Sequence, residues 1–118
     1  MQSVPGVIAS LIGVAYTNNI FVASGSTNPW QATSLGAILI STDGINWKAA
    51  SGYSSNLGDN LFGSSYINGK FFALGGNVVT GKAVLETSTD GNHWESQITV
   101  GPGVFGTMAY GNGKYVAV

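Results

Sequence analysis

A stretch of seven residues recurs in this chain with five positions unchanged. Ser41-Thr42-Asp43-Gly44-Ile45-Asn46-Trp47 returns as Ser88-Thr89-Asp90-Gly91-Asn92-His93-Trp94, with the two aspartates 47 residues apart. A longer motif is written three times. It reads Gly13-Val14-Ala15-Tyr16-Thr17-Asn18-Asn19-Ile20-Phe21-Val22-Ala23, then Gly63-Ser64-Ser65-Tyr66-Ile67-Asn68-Gly69-Lys70-Phe71-Phe72-Ala73, then Thr107-Met108-Ala109-Tyr110-Gly111-Asn112-Gly113-Lys114-Tyr115-Val116-Ala117. Tyr16, Tyr66 and Tyr110 are spaced by 50 and 44 residues, a wobble that loops absorb while strands keep register. A period of about 47 residues is close to the length of one four-stranded propeller blade.

Each copy of the longer motif predicts a hairpin. Asn-Gly between two apolar runs favours a type I′ turn, whose central residues both need φ > 0. Asn18-Asn19 is a weaker version of the same signal, because Asn visits the left-handed region more readily than most residues. In each hairpin the first strand is rich in small residues (Val14-Ala15, Ser64-Ser65) and the second carries an aromatic residue and then Ala. That pattern suits an innermost strand crowded at a central axis, followed by a strand packed against neighbouring blades. Ala37-Ile38-Leu39-Ile40-Ser41 and Ala83-Val84-Leu85-Glu86-Thr87-Ser88 supply a third strand, and the Asp-Gly turn leads through Trp to a fourth. No helical periodicity of useful length runs through so glycine-rich a chain. The expectation is all-β: β-propeller blades, four-stranded antiparallel units numbering about 2.5 per chain. They form a single repeat domain over residues 1–118, with blade 1 at about 10–50, blade 2 at about 61–99 and a half blade at about 104–118.

The repeated turn has its own chemistry. Asp43 and Asp90 can accept hydrogen bonds from backbone N–H groups of their own turns, with Ser41 and Ser88 adding a hydroxyl. Gly44 and Gly91 provide a backbone position that a side chain would block, and Trp47 and Trp94 open the outer strand with their indole N–H groups seeking a partner. On these two heptapeptides, and through the hairpins over nearly the whole chain, the sequence resembles the Asp-box (bacterial neuraminidase repeat) propellers of sialidases, related glycosidases, lectin-like modules and phage tail proteins. The usual box has one residue between Asp and Gly, whereas here Gly follows Asp directly. In that family the box is a rim turn away from the ligand end, so the resemblance implies fold and not sialidase activity.

Composition narrows the function. Among 118 residues no Arg occurs, and the cations are Lys48, Lys70, Lys82 and Lys114. Nucleic-acid binding needs clustered phosphate-neutralising cations and is excluded as an expectation. The arginine clamp that the resemblance would bring for a sialidase substrate is missing too. Glycoside hydrolysis needs two carboxyls flanking one bond. With Asp43 and Asp90 committed to turns, Asp59, Glu86 and Glu95 remain; Glu86 aligns with Leu39 and Glu95 with Lys48, which reads as surface drift on outer strands. The expectation is therefore a chain without catalytic activity. His93, the sole histidine, aligns with Asn46 and reads as a solvated turn residue. With no Cys and no second His, no metal site is expected, and no cofactor. Residues 4–16 are apolar enough to suggest a signal peptide but lack a basic start and are broken by Pro5, Gly6, Ser10 and Gly13; they read as a strand. Membrane insertion is not expected, and an extracellular or virion-surface location is favoured.

Loop differences point to ligand contact. Between Tyr16 and Asp43 lie three more residues than between Tyr66 and Asp90, and the surplus falls in residues 24–36, where Trp30 has no counterpart. A Trp in a polar loop, flanked by Asn28 and Gln31, offers an aromatic face with amide donors and acceptors, the composition of a sugar-stacking site; the structural alternative is that Trp30 folds over a blade edge or into a subunit contact. Residues 51–60, with Tyr53 and Asn56, form a second candidate of similar chemistry, and the sequence leaves open whether the two share a face. Two and a half blades do not close a ring, so self-assembly, or membership of a longer propeller, is expected; a simple dimer is disfavoured because a partner beginning on first and second strands cannot supply a third and fourth. The functional expectation is a non-catalytic binding or adhesion module that recognises glycans. Its alternatives are a structural or receptor-binding part of a phage tail or virion, and a piece of a glycosidase propeller.

Overall fold

The computed structural model describes residues 10–97 and 103–118, which contain ten strands and no helix. The part of residues 4–16 that precedes Ser10 lies outside the described residues. The first sheet is β1 (Ser10–Thr17), β2 (Ile20–Ser26), β3 (Gly36–Ser41) and β4 (Lys48–Ala49), paired antiparallel in that order. The second repeats it with β5 (Asp59–Ile67), β6 (Lys70–Asn77), β7 (Ala83–Ser88) and β8 (Glu95–Ser96). A third sheet has two strands, β9 (Met108–Gly111) and β10 (Lys114–Ala117). The chain is thus built of four-stranded antiparallel meanders of the kind that make propeller blades.

The hairpin turns form as their residues dictate. Both central positions have positive φ in all three: Asn18 and Asn19 at 50° and 64°, Asn68 and Gly69 at 52° and 84°, Asn112 and Gly113 at 51° and 74°. That is the type I′ geometry whose twist matches the flanking strands. A feature the motif alignment leaves silent also repeats. The ladder of β1 slips between Leu11 and Gly13, and that of β5 slips between Leu61 and Gly63. Ile12 and Phe62, 50 residues apart, are therefore equivalent bulge residues, and each bulge reverses the facing of the residues before it.

The core lies between the two larger sheets. Val22 pairs with Ile40, and Ser24 with Ile38, on one face of the first sheet. On the opposing face of the second, Phe71 pairs with Ser88 and Ala73 with Glu86. Val22, Ile38, Ala50, Leu61, Phe71 and Ala73 form one buried cluster between them, and each large side chain so enclosed contributes about 1.5–3 kcal/mol. The sheets approach chiefly through β1, β2 and β5, so they converge along their inner strands as blades do about an axis. The approach is close. A Cβ on Gly13 would stand 2.5 Å from the backbone N of Ser64, and Ser24 Oγ meets Ser64 Oγ at 2.7 Å across the seam. Phe72 and Leu74 alternate to the far face of the second sheet, where Phe72 meets Tyr115 at 5.1 Å.

One expectation about acids fails here. Glu86 is not on a drifting outer surface: it sits in β7, on the face turned to the first sheet, and is 2% exposed. Its counterpart Leu39 is equally buried, so the position is a core position in both repeats. Asp59 is also buried, held by Asn77 Nδ2 at 2.6 Å and by the Asn56 N–H at 2.9 Å. No described helix is long and apolar enough to cross a membrane.

Candidate functional site

Antiparallel order decides which loops meet. The β1–β2, β3–β4, β5–β6 and β7–β8 turns lie at one end of the sheets, and residues 27–35, 55–58 and 78–82 lie at the other, while Ser51 and Gly52 of the linker bond the β7–β8 turn. The first candidate loop and the second half of the second one therefore share a face, a question the sequence left open, and they are bonded together. Gly58 N–H donates to Ser34 O at 2.7 Å, and Gly36 N–H donates to Ser55 Oγ at 2.7 Å.

At the turn end, each Asp is wrapped by its own backbone. Asp43 Oδ1 accepts the N–H groups of Ile45 and Asn46 at 2.8 Å each, and its Oδ2 accepts Asn46 Nδ2 at 2.8 Å. Asp90 accepts the N–H groups of Asn92 and His93 at 2.8 Å, and its Oδ2 faces His93 Nδ1 at 2.7 Å. These N–H donors hold both carboxyls well below the usual carboxylate range, because a bonded charged form is the favoured one. Ser41 and Ser88 accept the Gly44 and Gly91 N–H groups at 2.8 Å each. The indole N–H groups of Trp47 and Trp94 close on Gly44 O at 3.2 Å and Gly91 O at 2.7 Å. A hollow flanks each turn, of about 350 Å³ beside Trp47 and about 370 Å³ beside Trp94. Their recurrence in both repeats marks them as products of the turn, and His93 takes the place that Asn46 has in the first.

At the loop end stands Trp30. It is 62% exposed, and its φ is 66°, a backbone region that a bulky residue occupies only under constraint. The constraint is visible. Trp30 N–H donates to Asn60 Oδ1 at 2.8 Å, while fully buried Asn60 is itself fixed by Ser34 Oγ at 3.3 Å and by Gly58 O at 3.0 Å. The indole lies on Phe62 with centroids 4.9 Å apart and planes 27° apart. Phe62 is the bulge residue of β5, so the irregularity of the inner strand supplies the floor under the ring. Two short turns, Gln31 N–H to Asn28 O at 3.1 Å and Ser34 N–H to Gln31 O at 2.9 Å, carry Asn28 and Gln31 exposed on either side.

Tyr53 does not join this group. Its hydroxyl is buried and has no hydrogen-bond partner among the described residues. Burial pushes that phenol above its ordinary value, the nearby charges of Asp59 and Glu86 add to the rise, and Ser55 offsets part of it. Asn56 is exposed at the same end but lines a different hollow, farther out along β7 and β8. Trp30, Asn28 and Gln31 thus form one cluster near the inner strands, and Asn56 belongs to the outer edge. Sequence reasoning missed Phe62, and it included Asn60 only as the last residue of the second candidate loop. Phe62 was legible only as the counterpart of Ile12, and nothing in the sequence tied Asn60 to Trp30.

No family model and no curated protein matches this chain. Among solved structures, the chain is similar to a Bombyx mori GH32 β-fructofuranosidase, a mutant in complex with sucrose, at a TM-score of 0.57 and 12% identity. The match covers 98% of this chain and 31% of that one. The fold is that of a β-propeller domain. The chain spans about a third of the length of that enzyme. The expectation of a chain without catalytic activity is corrected by this match: the blades resemble those of a glycoside hydrolase, so the fold gives no ground for excluding one, although at this identity it does not show catalysis.

Proposed function

We propose that this chain is a carbohydrate-recognising propeller module, and that Trp30 is the platform on which a sugar ring stacks. The observation that carries the reading is an indole held out to solvent on a strained backbone, propped from beneath by Phe62. A bulky residue at positive φ costs about 1–3 kcal/mol, and such strain clusters at binding sites. The apolar face of a pyranose or furanose ring packs on an indole, and the Asn28 and Gln31 amides reach the hydroxyls at its edge. The sucrose complex of the similar fructofuranosidase supports a saccharide as the ligand class.

A glycan array, followed by titration of Trp fluorescence with the best binder, tests it. Binding to a defined set of glycans that is lost in Trp30→Asn, with the fold intact, is the expected result. No binding to any glycan, or equal binding by the variant, would overturn the proposal. Co-purification with tail proteins and indifference to sugars would support a phage or virion component in its place.

Assembly is part of the same reading. In the larger sheets β2 and β6 pair with β3 and β7, whereas β10 has no third strand among the described residues. An unpaired edge invites another strand, which supports completion of the propeller by further blades, from copies of this chain or from a longer polypeptide. Mass measurement in solution checks it, with an assembly larger than one chain expected.

A further inference from the structure

Away from Trp30, at the outer edge of the second sheet, a cleft of about 450 Å³ opens between the linker at Asn56 and Leu57 and the strands β7 and β8. Glu86 lines it, though 98% of its surface is covered, being 2% exposed. One carboxylate oxygen accepts Ser96 Oγ at 2.6 Å. An ionised carboxylate has sites for about four hydrogen bonds, and no other donor reaches Glu86 among the described residues. Glu86 is part of the cleft wall, so its acceptor capacity beyond the Ser96 bond is there for a molecule in the cleft to use. A buried carboxylate with one bond is under-satisfied, and whatever fills the cleft gains by bringing donors. Burial raises the Glu86 carboxyl above its ordinary range, the Ser96 bond opposing and the Asp59 charge reinforcing it, as expected of a carboxylate short of donors.

The walls decide between ligand classes. Asn56, Thr80 and Gln97 present amide and hydroxyl groups that both donate and accept, and Leu57 and Val84 give an apolar patch. Lys82 stands on the same wall, which disfavours a free cation, and no described group of three His, Cys, Asp or Glu is placed to hold a metal ion. One carboxylate, one ammonium and a ring of neutral polar groups fit a neutral, donor-rich molecule. We propose that this cleft binds a small polyol or monosaccharide, with ligand hydroxyls donating to Glu86 and the amides of Asn56 and Gln97 bonding the remainder. The site is separate from the Trp30 platform and does not depend on it.

Amide NMR titrations with glucose, galactose, fructose and sorbitol test the cleft on the whole chain. Saturable shifts at Asn56, Ser96 and Gln97 are expected for at least one of the four. Glu86→Gln, which exchanges an acceptor oxygen for a donor, should weaken that binding tenfold or more. Asn56→Ala changes an exposed side chain that makes no hydrogen bond within the described fold, so it serves even if the first variant misfolds; it should weaken binding several-fold. Trp30→Asn should leave these shifts unchanged, which separates failure here from failure of the platform. No saturable shift at the three amides with any of the four, or unaltered affinity in both cleft variants, would overturn the proposal.

Discussion

Trp30 carries two opposing energies. Its positive φ costs about 1–3 kcal/mol, and its stacking on Phe62 returns about 0.5–1.5 kcal/mol beyond area burial. Asn tolerates the left-handed region, so Trp30→Asn relieves the first term while losing the second. Thermal denaturation should show stability held, or raised by about 1 kcal/mol, while saccharide binding disappears. Glu86 behaves oppositely to the turn aspartates. Its folded pKa lies above the ordinary 4.5, so the folded state binds the proton more tightly than the unfolded chain. The stabilisation this linkage provides is complete below 4.5 and is lost as pH rises through the folded value. At neutral pH the carboxylate is therefore a burden. Glu86→Gln should melt higher than the parent at pH 7, and the advantage should shrink as pH falls toward 4.5.

The repeated turn is a single local device, and its two copies differ in what surrounds the glycine. Gly44 and Gly91 have φ of 76° and 83°, where an L side chain costs roughly 1 kcal/mol. A Cβ on Gly44 would meet Phe21 at 3.5 Å, an ordinary contact, whereas one on Gly91 would stand 2.7 Å from Ile20 Cδ1 and 3.1 Å from Val22 Cγ2. Gly91→Ala should therefore destabilise by about 1 kcal/mol more than Gly44→Ala, read as a lower urea midpoint. Removing the Ser88 hydroxyl leaves the buried Gly91 N–H without its acceptor, and Ser88→Ala should cost about 1–3 kcal/mol. The aspartates set an acid limit. Their folded pKa values lie below the ordinary 3.8, so the stability they contribute is whole above that value and drains away as pH falls beneath it. The stability gap between the parent and Asp43→Asn/Asp90→Asn should stay constant from neutral pH down to about 4 and narrow only below.

Across the molecule, the seam between the inner strands leaves no room for a side chain. Gly13→Ala places a Cβ against the backbone of Gly63 and Ser64, at 2.5–2.8 Å, where no rotamer change can relieve it. About 1–3 kcal/mol should be lost, with both larger sheets destabilised together in hydrogen exchange because their core is shared. The Ser24–Ser64 hydroxyl pair bridges the same seam, and a double-mutant cycle to Ala should give a coupling of about 1 kcal/mol. A second clasp ties the linker to the turn of the following repeat. Gly52 N–H donates to Asn92 O at 2.9 Å, and Trp94 N–H donates to Gly52 O at 3.1 Å.

The strand order, the three hairpin turns and the pair of aspartate-centred turns are all determined by the sequence, because each depends on residues a few positions apart: Asn-Gly at a reversal, Asp before Gly, apolar runs between them. The exposed Trp30 and its flanking amides were legible as a departure from the repeat. What lies beneath Trp30, and the burial of Glu86, were decided by tertiary structure. A bulge at Phe62 and the choice of which face of β7 meets the neighbouring sheet are matters of register and packing. Alignment placed Glu86 opposite a core leucine, yet its charge suggested a surface; only the neighbouring sheet, closing over β7, determines that a carboxylate at that position is enclosed.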